Sequence, residues 1–305
     1  MASAMGQLVI DGLSMGLVYV LLASGLNLIL STPRILFIAY GQLYMIGAYI
    51  VWYLMVPFEL PFYVALPAAM IVTAILGGII YRVIFQYIQY KERQFLTNIV
   101  AATGLMMLMA QAAFWIFGTE SRGVPSVFAG MLHIGNLNLS VEKLVLIILT
   151  LAVLVGLHLL LQKTRVGRAM RAVSFNSDVA ALQGVNPNIT YMATMMVGCA
   201  LAGFAGGIMA PVFALSPTMG GITLLVLLVV MLGGIGSMPG AIIAGLILGL
   251  TLSFGQYFGG EVGAYIGAKG SGGGLAQIFF FIVIGIILFF RSGGLLGQPG
   301  EEIPL

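Results

Sequence analysis

Residues Ile278–Phe290 read IFFFIVIGIILFF, a run without a charge, a proline or any alternation of polar with apolar side chains. Leu144–Leu154, LVLIILTLAVL, has the same character. A surface helix of a soluble protein carries a polar stripe at the helical period, and a membrane β-barrel strand alternates over about ten residues. Neither pattern is present, so these runs are apolar on every face and their solvent is hydrocarbon. Lipid offers no partner to a backbone N–H or C=O, which makes such runs α-helices.

Outward from these two, apolar runs occupy 8–30, 35–56, 62–86, 95–117, 143–162, 191–214, 222–258 and 275–291. A hydrocarbon core about 30 Å thick needs about 20 residues per helix. The 305-residue chain is 61% hydrophobic and 7% charged, against roughly 25% charged in a soluble domain. The predicted fold is an all-α, polytopic helical bundle of about eight hydrophobic segments, one membrane domain over residues 1–305. The first apolar run is too long for a signal-peptide core and is read as a retained helix.

Charge sets the expected orientation. Arg34, Arg82, Lys91, Arg93, Lys163, Arg165, Arg168, Arg171 and Arg291 make up nine of the 12 Lys and Arg residues. If their connections are cytoplasmic, the other connections keep only Arg122, Lys143 and Lys269, as the positive-inside rule requires. The N-terminus is then outside and the C-terminus inside. Parity makes the seventh segment enter and return, and Gly233–Gly240, GGIGSMPG, supplies the break. Glycine permissiveness and the missing proline N–H interrupt a helix there. Non-helical backbone at membrane depth is tolerated where protein buries it or where it lines a wet cavity. A second interruption stands at Ser31–Arg34, STPR, and Pro211 and Pro217 mark another after the sixth segment.

Small-xxx-small pairs at Gly12 and Gly16, Gly203 and Gly207, Gly245 and Gly249, and Gly263 and Gly267 predict close helix approach. Catalytic constellations are missing. His133 falls in the outer connection 118–142 and His158 on an apolar helix, where it is expected to pack. No GxxxxGK[ST] phosphate loop occurs, so ATP would have to be handled by a partner. Cys199 is the single cysteine, which excludes an internal disulfide. The centres of the spans hold essentially no ionisable groups, which argues against proton or sodium coupling. No cofactor, metal or catalytic residue is expected on this chain, and no nucleic-acid partner.

The informative stretch is Thr164–Pro187, TRVGRAMRAVSFNSDVAALQGVNP, in a connection read as cytoplasmic over 163–190. It is helical by pattern with a glycine stop at Gly184. A basic loop held at anionic lipid would explain the arginines but not the rest of the pattern.

The motif TRxGRAxRA followed by DxAALxGxN resembles the coupling loop of the permeases of branched-chain amino acid ABC importers. The resemblance extends to Gly12–Asn27 (GLSMGLVYVLLASGLN), Arg34–Tyr49, Gly233–Gly249 (GGIGSMPGAIIAGLILG) and Arg291–Gly297 (RSGGLLG). Length and spacing are similar to the H-type permease subunit, of the hydrophobic amino acid uptake family. The resemblance implies a bacterial inner-membrane importer with a second related permease, two cytoplasmic ATP-binding subunits and a periplasmic solute-binding protein. It also implies that Arg168, Arg171, Asp178, Ala180, Ala181 and Gly184 lie at the ATPase interface, with Asp178 in place of the family's glutamate.

One departure bears on the cargo. Where the family reads Asn, Phe, Ala, His, Gly and an acidic residue, this chain has Phe37, Ile38, Ala39, Tyr40, Gly41 and Gln42. Two readings stand: the turn faces the pathway and the cargo differs from ordinary branched-chain amino acids, or the turn only packs. Candidate path residues are Asn27, Tyr40, Gln42, Gln111, Gly236 and Pro239. The competing function is a stand-alone secondary transporter or channel for a small solute, in which the same breaks would hold an ion.

Overall fold

The computed structural model describes residues 2–89, 94–125, 130–134, 137–265, 272–290 and 294–296. Helix α1 (Ala2–Ser31) is followed by α2 (Tyr40–Met55) and α3 (Phe62–Ile80). A π-turn at Tyr81–Phe85 carries α3 into the short α4 (Gln86–Ile88), and α5 (Gln94–Phe117) follows. The hairpin β1 (Met131–Ile134) and β2 (Leu137–Ser140) leads to α6 (Val141–Lys163), then α7 (Arg165–Phe175), α8 (Ser177–Leu182) and α9 (Pro187–Met209). A 3-10 turn at Pro217–Ile222 opens α10 (Thr223–Gly233), and α11 (Met238–Tyr265) and α12 (Gly272–Phe290) complete the chain.

Among the described residues, six helices are long and apolar enough to cross a membrane, and the turn with α10 and the body of α12 are shorter apolar helices. The helical, multi-spanning reading of the sequence holds. The exposed side chains are those lipid accepts: Ile71, Ile75 and Ile79 on α3, Val100, Leu108 and Trp115 on α5, and Ile278, Ile282 and Phe289 on α12.

Three details depart from the expectations. The second segment starts as a helix at Tyr40 rather than near residue 35, because residues 32–39 run without regular structure and Ile35, Phe37 and Ala39 are buried within the protein. The 118–142 connection contains an antiparallel hairpin with Met131 opposite Ser140. His158 is exposed rather than packed; it lies close to the end of α6, where an imidazole can reach toward the headgroup layer.

Cα packing divides the chain into two compact units. The larger comprises Gly25–Val127 and Leu151–Leu225, and its centre is the mutual packing of α2, α3 and α9. Apolar burial gives no net drive between helices in lipid, so close backbone approach must supply the attraction. A Cβ at Gly47 of α2 would overlap the Gly203 main chain of α9, and one at Gly206 would overlap the Tyr44 carbonyl. Gly77 of α3 leaves the space that Cys199 Sγ fills, 2.5 Å from where its Cβ would stand. The irregular stretch before α2 rests on the π-turn: Phe37 meets Phe85 edge-on at 5.7 Å, and Gln89 Nε2 donates to the Pro33 carbonyl at 3.4 Å.

The other unit comprises Met1–Ser24, Phe128–Thr150 and Val226–Ile303. Here α1 and α11 cross on the paired glycines. A Cβ at Gly249 would meet the Gly16 main chain, and one at Gly12 would lie 3.0 Å from Leu250 Cα. Ser253 Oγ donates to the Leu8 carbonyl at 2.7 Å across the same contact. Asp11 is paired with Lys143 Nζ at 2.7 Å. Of the four glycine pairs, Gly12 with Gly16, Gly203 with Gly207 and Gly245 with Gly249 lie at tight contacts; Gly267 of the fourth lies outside the described residues.

Replacing Gly206 with leucine forces a side chain into the Tyr44 carbonyl and is expected to cost about 3 kcal/mol or more. Gly104→Leu, where nothing lies within 4 Å, is expected to be neutral. Thermal unfolding of the two variants in detergent, followed by size-exclusion recovery, tests this contrast.

Candidate functional site

Between α6 and α9 the chain builds a pair of short helices whose ends are set by local caps. Thr164 adopts an extended backbone and accepts from the Gly167 N–H at 3.0 Å, closing the start of α7. Its hydroxyl donates back to the Leu160 carbonyl at 2.6 Å. Gly167 sits against the last turn of α6, where a Cβ would overlap the Leu160 and Leu161 carbonyls. The elbow therefore needs glycine, whatever the sequence around it.

Gly167, Met170 and Val173 face inward at helical spacing, and Arg168 and Arg171 are exposed. Asn176 ends α7 and begins α8 at once. Its N–H bonds to the Ala172 carbonyl at 3.1 Å, and its Oδ1 accepts from Asp178 and Val179 at 3.0 and 3.1 Å. Asp178 stands in the first turn of α8, where a carboxylate complements the positive end of the helix. At the other end Gly184 takes φ +85°, the Val185 N–H reaches the Ala180 carbonyl at 3.1 Å, and the Gly184 N–H reaches the Ala181 carbonyl at 3.0 Å. This pair of bonds is a Schellman cap, which needs a left-handed residue at the glycine position. Asn186 then caps α9 through the Asn188 and Ile189 N–H groups, with Pro187 in the first turn.

Of the six residues expected at an interface here, Arg168, Arg171, Asp178, Ala181 and Gly184 are exposed and Ala180 is buried. Two apolar side chains that the sequence reading passed over are nearly bare: Phe175 is 90% exposed and Leu182 89%. Both terminate helices whose other faces pack on the chain. The signal was available, since each is an apolar residue at the end of a polar-capped helix, but apolar residues are too common in this sequence to stand out.

The six candidate path residues do not form one cluster. Tyr40 and Gln42 share the turn at the start of α2, both buried; the Tyr40 hydroxyl donates to the Gly198 carbonyl at 3.1 Å. The Gly41 N–H donates to Thr223 Oγ1 at 2.8 Å, and Gln42 fills the space beside Gly220 with its Oε1 unpartnered. Asn27 is buried on α1, and Gln111 is exposed on α5. Gly236 and Pro239 belong to the other unit and are exposed.

The break between α10 and α11 is stabilised by its own bonds. Gly234 and Gly236 take φ +94° and +82°, Ser237 Oγ accepts from the Gly240 N–H at 3.2 Å, and a Cβ at Gly240 would overlap Gly233. The last carbonyls of α10 are met from the far end of the chain: the Leu295 N–H donates to Leu232 at 2.7 Å and the Leu296 N–H to Gly233 at 3.3 Å.

Most in-span hydroxyls are bonded within their own helices, Thr103 to Ile99, Thr194 to Thr190 and Thr251 to Ile247 at 2.7 to 2.8 Å. A further group was not anticipated as a unit. Arg122 and Leu215 form an isolated antiparallel bridge, and the Arg122 guanidinium lies over Trp52. No sequence spacing connects these three residues.

Apolar spans, interrupted helices and an exposed capped helix pair between two spans define a polytopic helical membrane protein. The chain belongs to the branched-chain amino acid transport system / permease component family, which matches residues 8–295. It is 27% identical over 311 residues to the high-affinity branched-chain amino acid transport system permease protein BraD of Pseudomonas aeruginosa, covering 97% of each chain. It is 26% identical over 254 residues to the corresponding LivH protein of Escherichia coli (strain K12), covering 78% of this chain and 82% of that one. Among solved structures, PsaBC from Streptococcus pneumoniae in complex with Fab shows a distant likeness, 13% identical over 94% of this chain and 91% of that one, with a TM-score of 0.45.

Loss of the Asn176 cap is expected to loosen α8 by about 1 kcal/mol. Asn176→Ala should therefore speed amide exchange at Val179 about fivefold without changing exchange in α9, as measured by hydrogen–deuterium exchange in lipid nanodiscs.

Proposed function

We propose that this chain is the membrane-spanning permease subunit of a bacterial ABC importer, and that the α7–α8 pair is the surface on which an ATP-binding subunit bears. The single observation that carries this reading is the construction of that pair. Four caps and a glycine elbow make it rigid, and yet it presents three arginines (Arg165, Arg168 and Arg171), an aspartate, Phe175 and Leu182 to solvent. A lipid-tethered loop needs basic charge and apolar side chains but has no use for four caps and a glycine elbow that fix two short helices in place. A lever that receives force from another protein needs both rigidity and a mixed polar and apolar contact face.

On this reading Arg168, Arg171, Asp178, Ala181 and Gly184 touch the partner, while buried Ala180 lets α8 seat against its own chain. The assembly comprises a second related permease, two cytoplasmic ATP-binding subunits and a periplasmic solute-binding protein in the inner membrane. The N-terminus lies outside and the C-terminus in the cytoplasm. The cargo is a small solute, a branched-chain or other hydrophobic amino acid or a related carboxylate or amide. The relatives named for branched-chain amino acid transport support that class. Asn27, Tyr40, Gln42, Gln111, Gly236 and Pro239 are the candidates for the path, with Tyr40 and Gln42 closed off in the conformation seen.

Uptake by the complete complex in proteoliposomes tests the lever. Asp178→Lys and Gly184→Arg are each expected to cut ATP-driven uptake by about a hundredfold while leaving membrane insertion intact, because the first reverses a charge in the contact face and the second strains a left-handed position. Normal transport in both variants, or full transport by this chain reconstituted without ATP-binding subunits, would overturn the proposal.

A further inference from the structure

Arg122 is pinned in place but, among the described residues, left electrically uncompensated. Its N–H donates to the Leu215 carbonyl at 3.0 Å, and the Leu215 N–H donates to its carbonyl at 2.7 Å. Nη2 donates to the Phe117 carbonyl at 2.9 Å, and the guanidinium carbon lies 4.4 Å from the centre of the Trp52 ring. A guanidinium carries five N–H donors, and among the described residues a single protein acceptor engages one corner. Among the described residues the one ion pair is Lys143 with Asp11. Lys143 is thus neutralised; half-buried Arg122 is not, and exposed Glu120, two residues away, makes no ion pair with it.

Beside it stands a second unsatisfied group. Tyr49, one turn before Trp52 on α2, stacks on the Phe117 ring at 4.0 Å with the planes 10° apart. The residue is 1% exposed, and among the described residues its hydroxyl has no hydrogen-bond partner. Phenylalanine would serve the stacking equally well. Arg122 and Tyr49 thus both contact Phe117, the first at its carbonyl and the second at its ring, and among the described residues each keeps donors to spare with no anion beside it. The complement of a flat guanidinium fork with a neighbouring hydroxyl is a carboxylate, whose two oxygens match the fork.

We propose that Arg122, with the Tyr49 hydroxyl beside it, is a carboxylate-binding site of this permease and takes the carboxylate of the incoming solute. The inference rests on the permease reading above, and under the orientation given there the site lies at the outer end of the larger unit. The same chemistry could be offered by an acidic side chain of a delivering protein, and the test separates the two sources.

The chain has two tryptophans, so Trp115→Phe leaves Trp52, the ring under Arg122, as the sole reporter. The full chain in nanodiscs is titrated with leucine, with leucinamide, and with a ligand-free solute-binding protein from the same system. A Trp52 fluorescence change with leucine and not with leucinamide supports the site with the solute as source. Arg122→Gln and Arg122→Lys should then raise the half-saturating leucine concentration about tenfold or more. A change produced by the binding protein alone, and lost in both variants, keeps the carboxylate site and assigns the source to the delivering protein. Equal responses to leucine and leucinamide, or no response to any of the three, overturn the proposal. Arg122→Lys keeps the charge and guards against a folding defect in Arg122→Gln. Because no ATP-binding subunit takes part, failure of ATP-driven uptake would count against the importer reading without touching this measurement.

Discussion

In hydrocarbon a backbone group that loses its helical partner has no water to fall back on, so every interruption of a span must bring its own hydrogen bonds. The broken elements of this protein obey that constraint. At the α10–α11 break, two glycines turn the chain, Ser237 caps the new helix, and the main chain at Leu295 and Leu296 supplies donors to the carbonyls that α10 leaves behind. At the start of α2, the Gly41 N–H, which an intact helix would have satisfied, finds Thr223. Each break is a small closed set of bonds rather than a loose linker, and this is what allows irregular backbone to persist inside a bundle.

The same solvent explains the glycines. Helices in lipid gain little by hiding apolar surface from one another, so attraction depends on how closely their backbones approach. In the larger unit Gly47, Gly203 and Gly206 bring α2 onto α9, and Gly77 brings α3 onto Cys199; in the other, Gly12, Gly16, Gly245 and Gly249 let α1 and α11 cross. Polar side chains take a minor part in this packing. The threonine hydroxyls mostly return to the carbonyl four residues earlier, a habit that satisfies the hydroxyl without joining two helices.

What could be read from the sequence follows from the range of each interaction. Runs such as Ile278–Phe290 declare their environment residue by residue, and GGIGSMPG announces a break because glycine and proline act on their own backbone. Thr164, Asn176, Gly184 and Asn186 are likewise local devices, and the glycine stop was legible for that reason; the division into α7 and α8 at Asn176 was not, since asparagine serves equally as an ordinary polar residue in a helix. Residues 35–39 look apolar enough to extend a span, and only the packing of Phe37 on Phe85 and the Gln89 bond to Pro33 show why they do not. The bridge from Arg122 to Leu215 joins positions 93 residues apart, and no spacing rule reaches that far.

The departure at Phe37–Gln42 can now be placed. In the conformation seen, Tyr40 bonds to a carbonyl of α9, and Gln42 is wedged against Gly220, so the packing reading describes this state. Among the described residues the buried Oε1 of Gln42 has no donor, and leaving a buried acceptor unpaired costs free energy in this closed state. An alternating-access cycle that draws the Pro217–Ile222 turn away from α2 would relieve this strain and open the same amide to a passing solute. On the proposed importer reading, the two readings of the turn would belong to two states of one cycle, a packed plug when the path is shut and a polar lining when it is open. A neutral amide and a phenol suit both states, because neither demands a counter-charge when buried, as a histidine facing an acid would.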